Sequence, residues 1–217
     1  MLACNRHRVA VLVCLAVGLY TTAAPAQTNG AEFAALGTVD RMQGTVTLLR
    51  GTRAVPAEAG QPVTSGDTLS TAEASRLLLV FTDGTRLTLG ERAEAFIDHF
   101  VYNPLKKSGA AFVDVVKGAF RFTTGRIREF SDKRIEVRTG SATLVADGSD
   151  FWGGPIGETY GVLLITGRIE VRNPAGMVLL EKKRLGSTIA APGTPPEMPV
   201  RWDKDKIGKA FAAVAFR

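Results

Sequence analysis

The chain has 217 residues, is 45% hydrophobic and carries a formal net charge of +6. That is room for one domain with terminal extensions and enough apolar content for a packed core. The positive excess is mild and no long Lys/Arg run accompanies it, so composition gives no ground for nucleic-acid binding.

The first residues read as a processing signal. Arg6 and Arg8 form a basic start, Val9 to Leu19 an apolar run, and Ala24-Pro25-Ala26 a small-x-small site. Residues 1–26 are therefore expected to be a cleaved signal peptide, with the mature chain beginning at Gln27. The apolar run is shorter than the ~20 residues a membrane span needs. Both cysteines, Cys4 and Cys14, precede the cut, so the mature protein is expected to be exported without a disulfide and to rely on burial alone. Cleavage removes two arginines and no acid, lowering the charge from +6 to +4.

Residues 27–36 are small and polar and read as a flexible leader. From Gly37 the pattern turns strand-like: Gly37 to Met42, then Gly44 to Arg50 with Val46 and Leu48 alternating with threonines. Ala54 to Gly66, with Pro56, Gly60 and Pro62, reads as turns. Leu77–Phe81 and Leu87–Leu89 flank Asp83-Gly84, which predicts a β-hairpin with a two-residue type I′ turn. Ala93 to Tyr102 has apolar residues on both faces and reads as a strand buried on both sides. Ala111 to Phe122 reads as two strands hinged at Lys117-Gly118. Thr123 to Arg134 reads as a charged loop with one helical turn.

Strands are then expected over Arg134–Thr139 and Ser141–Ala146, the latter closed by Asp147-Gly148. Phe151-Trp152 leads into the glycine-rich Gly153 to Gly157, which lacks a following Lys-Ser/Thr and reads as a surface loop rather than a phosphate cradle. Tyr160–Thr166 pairs with Arg168–Arg172, and Met177–Leu180 returns after Asn173-Pro174-Ala175-Gly176. Ala190 to Pro199 holds four prolines and reads as an extended linker. In the tail, Ile207, Ala210, Phe211 and Val214 recur at helical spacing, with Asp203 or Asp205 placed to favour the start. The fold class is all-β, a single antiparallel β-domain built as a sandwich, a β-roll or an irregular β-helix-like stack, with a short C-terminal amphipathic helix.

Two strings carry a family likeness. Gly66-Asp-Thr-Leu-Ser-Thr leads through Ser75-Arg76 and Leu79-Val-Phe81 to Asp83-Gly-Thr-Arg-Leu-Thr-Leu-Gly90. The second is Ile135-Glu-Val-Arg-Thr-Gly-Ser-Ala with Gly148-Ser-Asp-Phe, followed by Val162-Leu-Leu-Ile-Thr-Gly-Arg-Ile-Glu-Val171. Together they resemble the periplasmic FecR domain, in a stand-alone secreted form, over roughly Gly37 to Val171. Ser149 stands where that family usually has Thr, and Ala146-Asp147 departs from its usual pair. Family members include membrane-spanning regulators of iron-uptake sigma factors. Here the expected cleavable signal stands in place of their cytoplasmic segment and membrane helix. The resemblance and the strand pattern together give an expected FecR-like β-domain at 37–189, and the proline content and helical spacing give a Pro-rich linker and helix at 190–217.

Chemistry is sparse. His99 is the one mature histidine and reads as a packed or rim residue. Asp83 and Asp147 each precede glycine, which turn chemistry alone explains. Ser65, Ser141 and Ser149 have no base partner. No catalytic, metal or cofactor-binding residue is expected, and the chain reads as a non-enzyme. Phe151 and Trp152 either cap the core or form a recognition platform. Lys106 and Lys107, with Arg126, Arg128, Lys133 and Arg134, either form a merely solvated face or offer a basic surface for an acidic glycan or lipid headgroup. The expectation is an exported binding or sensing module, periplasmic or secreted, that contacts an envelope protein. A cell-wall or polysaccharide-binding role, with an anionic glycan as partner, is the alternative.

Overall fold

The computed structural model describes residues 34–217; the expected signal peptide 1–26 and residues 27–33 of the leader lie outside the described residues. The strands in chain order are β1 Gly37–Gln43, β2 Val46–Arg50, β3 Arg53–Pro56, β4 Pro62–Val63, β5 Asp67–Thr71, β6 Arg76–Phe81, β7 Arg86–Leu89 and β8 Glu94–Asn103. They continue with β9 Ser108–Lys117, β10 Phe120–Thr123, β11 Asp132–Thr139, β12 Thr143–Ile156, β13 Thr159–Asn173, β14 Gly176–Leu180, β15 Leu185–Ile189 and β16 Val200–Arg201. A 3-10 turn spans Arg126–Glu129, and one helix, α1, spans Lys204–Val214.

One sheet curls on itself to give two facing rows. The first row is β3-β2-β5-β8-β9-β11, then the first half of β12, the second half of β13, and β14. The second is β4-β1-β6-β7-β10, then the second half of β12, the first half of β13, β15 and β16. The chain crosses between rows again and again, and only the long β12–β13 hairpin belongs to both. Every ladder is antiparallel except β9–β11, which is parallel. This is the roll among the architectures the sequence left open. Alternating side chains of both rows meet in a single core that includes Leu48, Leu69, Ile97 and Val137 from one and Leu79, Leu87, Phe122 and Phe151 from the other. Phe81 and Phe100 stack across it with centroids 4.5 Å apart.

Several local expectations change. The β6–β7 turn is not type I′. Phe81 N–H bonds to Thr85 C=O and Gly84 N–H to Phe81 C=O, so the loop is Thr82-Asp83-Gly84, and of its residues only Gly84 has positive φ, +85°. That is a type I turn closed by a left-handed glycine. Asp83 stays right-handed because its carboxylate bonds forward to Thr85. Asp147-Gly148 is a bulge inside β12 rather than a chain reversal, with Gly148 at φ +65°. Tyr160–Arg172 is one continuous strand. Phe151–Ile156 is strand, not surface loop, and Phe151 to Gly154 are buried. In β8 the apparent two-sided burial is a register shift between Ile97 and His99. It turns Phe100 inward after Ala95 and Ile97 and leaves His99 exposed. Ala54–Gly66 contains the short strands β3 and β4, and β15 precedes the proline-rich stretch.

Candidate functional site

The residues that carry the sequence likeness hold the fold. Asp67, fully buried, takes a forked pair of hydrogen bonds from Arg50 at 2.8 and 2.7 Å and another from Thr64 N–H at 2.7 Å. Asp83, also buried, accepts from Thr85 N–H (2.7 Å), Thr85 Oγ1 (2.9 Å) and Ile127 N–H (2.9 Å). It thereby ties the β6–β7 turn to the 3-10 turn. Ser75 Oγ accepts from Thr45 N–H at 2.9 Å. A buried carboxylate whose oxygens are engaged by backbone and side-chain donors of the fold itself serves structure. Asp150 is likewise engaged by Arg121 and Asp147 by Lys133. Among the described residues no group of three or more His, Cys, Asp or Glu is placed to hold a metal ion.

The distinctive surface is the outer face of the second row. Register places its side chains in two lines that cross the strands. One runs Arg41, Leu78, Thr88, Arg121, Trp152, Leu163, Gly186. The other runs Thr38, Val80, Arg86, Thr123, Asp150, Thr166. Neighbours in each line are about 4.8 Å apart, the spacing of paired strands.

Helix α1 covers one end of the first line. Asp203 caps it by accepting from Lys206 N–H at 2.7 Å. Ile207, Ala210 and Val214, spaced by three and four, bury against Trp152, Leu163 and Ala119. Trp202, just before the cap, meets Trp152 edge-on with centroids 6.2 Å apart. Its ring lies on Gly161 and Gly186. A Cβ at Gly161 would stand 2.7 Å from the indole, and one at Gly186 would run into it. Glycine in mid-strand is unfavourable by itself, and here the close approach of Trp202 accounts for both. The two indole N–H groups, of Trp152 and Trp202, are buried without hydrogen-bond partners.

The helix leaves the rest of that face open. Between β1, β6, β7 and β10 on one side and Phe211, Val214, Ala215 and Phe216 on the other lies a cleft of about 900 Å³. Arg121 is locked to Asp150 by two hydrogen bonds of 2.9 and 2.6 Å, and Thr123 Oγ1 donates to the same carboxylate at 3.2 Å. The Asp150 hydrogen bond pushes the Arg121 guanidinium further up. The Arg41 guanidinium lies 4.6 Å from the Phe216 ring centre. Among the described residues, neither Arg41 nor Arg86 has a carboxylate at ion-pair distance. Across the helix a smaller groove of about 440 Å³ is lined by Leu163, Ile165, Lys183, Arg184, Ile207 and Phe211.

The residues singled out from sequence fall in two places. Phe151 and Trp152 have no exposed surface. Phe151 points into the core between the rows, against Phe120 and Phe122, and Trp152 points outward beneath α1. Arg126 and Arg128 sit on the 3-10 turn, and Lys133 and Arg134 open β11. Lys133 pairs with Asp147 and Arg134 with Glu136, each at 3.0 Å. Arg126 lies over Tyr102 at 5.4 Å. Arg128 is exposed beside the Gly148 bulge. Sequence reasoning missed the cleft arginines Arg41, Arg86 and Arg121. The visible trace was the outward phase of Arg86-Leu87-Thr88-Leu89 and Arg121 between two buried phenylalanines.

No helix among the described residues is long and apolar enough to cross a membrane. No curated protein matches the chain. Two crystal structures of a protein from Parabacteroides distasonis ATCC 8503, described as a candidate anti-sigma factor, share the fold with a TM-score of 0.52 and 18% identity. Each match covers 65% of this chain and 62% of that one, so this chain spans less than two thirds of that protein's length. At that identity the likeness speaks for architecture alone. Residues 67–170 match the family described as FecR protein, the stretch from Asp67 through the buried turn carboxylate Asp83 to the second half of β13; over that stretch the chain matches the FecR domain.

Proposed function

We propose that the protein is an exported, non-enzymatic sensing module of the bacterial envelope that contacts a protein partner through the outer face of its second row. The observation that carries this is the cleft itself. It is the roomiest concavity described above, it is formed on rigid strands, and it is bordered by a helix the fold has made special room for. Unpaired arginines beside aromatic and aliphatic side chains are the composition of a recognition surface. The FecR domain and a neighbour described as a candidate anti-sigma factor agree with a role in signalling.

The test is to block the cleft. Thr88 lies mid-sheet between Leu78 and Arg121. Thr88→Trp would fill the space without touching the core. Capture of the partner from envelope extract is expected to fall sharply while the melting temperature holds. Undiminished capture of the same partner by a folded Thr88→Trp protein would overturn the site.

A second reading has one specific observation in its favour. Among the described residues, Arg126 and Arg128 have no carboxylate at ion-pair distance; both are exposed, and Arg126 lies over Tyr102 on the hairpin whose turn carries the exposed Lys106 and Lys107. That surface fits an anionic cell-wall glycan. Retention on insoluble peptidoglycan, lost in Arg126→Gln/Arg128→Gln, would select it.

A further inference from the structure

We infer that the cleft takes an extended, acidic peptide segment, its carboxylates bridging Arg86 and Arg41; this rests on the proposal that a protein partner docks there. The cleft presents unmet positive charge on a regular grid of strands. Arg86 projects from the middle strand of the open face, next to Val80 on one side and Thr123 on the other. It is exposed. Its acidic neighbour in line, Asp150, is already held by the Arg121 fork. Arg41 heads the other line, three strands from Arg121, and is held flat by Phe216 rather than by an acid. The two free guanidiniums stand on different lines and different strands, so no single carboxylate satisfies both. A chain with successive acidic side chains does. Arginine's planar fork suits this, because it binds a carboxylate through two parallel N–H donors.

The surroundings fit a peptide. Leu78 and Val80 offer half-buried aliphatic floor between the charges. Thr88 supplies a hydroxyl that donates to or accepts from a backbone, and Thr123, whose proton goes to Asp150, accepts from one. Asp40 also lines the cleft and opposes a bound acid. It sits at the register shift of β1, beside Arg41, and it disfavours a uniformly charged ligand packed along that edge. That leaves one acid for Arg41 at the β1 edge and places the ligand's other acids over β6, β7 and β10.

The probe is a fluorescein-labelled hexaglutamate peptide, read by anisotropy against the purified protein. Saturable binding is expected, weakening several-fold between 50 and 200 mM salt because the charges are partly exposed. Arg86→Gln is expected to lose about tenfold in affinity, in line with one charge-assisted hydrogen-bonded contact. Arg86→Lys is expected to recover only part of it, since the fork is gone. Melting temperatures of both variants are expected to match the parent. The inference is overturned if hexaglutamate does not bind, if binding is unchanged in folded Arg86→Gln and Arg41→Gln, or if a hexagalacturonate binds more tightly through the same arginines. Loss of hexaglutamate binding alone leaves the partner reading standing whenever Thr88→Trp still abolishes capture. Capture that survives Thr88→Trp sinks that reading by itself.

Discussion

Replacing Trp202 by alanine should undock the C-terminal helix. The indole is 4% exposed, and a buried Trp removes about 150–250 Å² from water. At about 25 cal/mol per Å² that is roughly 4–6 kcal/mol of transfer free energy. Its N–H is buried without a partner, and removing such an orphan returns about 1–3 kcal/mol. The balance is about 3 kcal/mol, at the low end of measured Trp→Ala losses. The socket beneath is made of Gly161 and Gly186, which have no side chains to close over the void. The loss should therefore not be relieved by repacking. Helix α1 has 11 residues, too few to persist undocked in water. Hydrogen exchange should show residues 204–214 losing protection while β6, β7 and β10 keep theirs. The melting temperature should fall by roughly 6–12 °C for a domain of this size. Unchanged protection of α1 together with an unchanged melting temperature would refute the role given to Trp202.

Three further outcomes follow from local geometry. Gly84→Val should destabilise by roughly 1–3 kcal/mol in a thermal melt. Space is open around that position, so the whole effect comes from forcing a β-branched residue to φ +85°. Asp83→Ala should lower stability by about 3 kcal/mol, because the Thr85 and Ile127 N–H groups lose their acceptor inside the fold; urea titration reads it. Tyr160→Phe should leave stability at neutral pH unchanged or slightly raised and delay alkaline unfolding. The Tyr160 hydroxyl is buried and closes no hydrogen bond of good geometry. Burial pushes the phenol well above its usual value, partly offset by the neighbouring Thr139. A raised folded pKa means the neutral phenol's contribution is intact below the unfolded value of about 10 and is lost as pH climbs beyond it. Titration of absorbance and ellipticity above pH 10 checks it.

Short-range patterns in the sequence were enough to reveal the hairpin, the helix and most strands. Leu77, Leu79 and Phe81 alternate because β6 has one face in the core, and Asp203 precedes a run spaced by three and four because α1 has one buried stripe. What local patterns could not decide was how glycines with positive φ are used. Gly84 closes a turn, whereas Gly148 and Gly167 bend strands that continue. Both uses need the same backbone, and only the partner strand distinguishes them. Leu185-Gly-Ser-Thr-Ile was overlooked as β15 for a related reason. Its glycine weakens the strand pattern and makes sense only once Trp202, sixteen residues on, is laid against it. The cleft was illegible because Arg41, Arg86 and Arg121 are far apart in sequence. Their proximity comes from the order β1-β6-β7-β10, which alternation along a single strand does not contain.

The most direct test of the proposed docking face is crosslinking inside the cell. A photo-reactive amino acid at Thr88, in the cleft, and another at Thr47, on the outer face of the first row, would be irradiated in parallel in the organism's envelope. The account predicts one discrete protein adduct from position 88, absent at position 47 and competed by hexaglutamate in permeabilised cells. An adduct that forms at position 47 and not at 88, in protein of normal melting temperature, would contradict it.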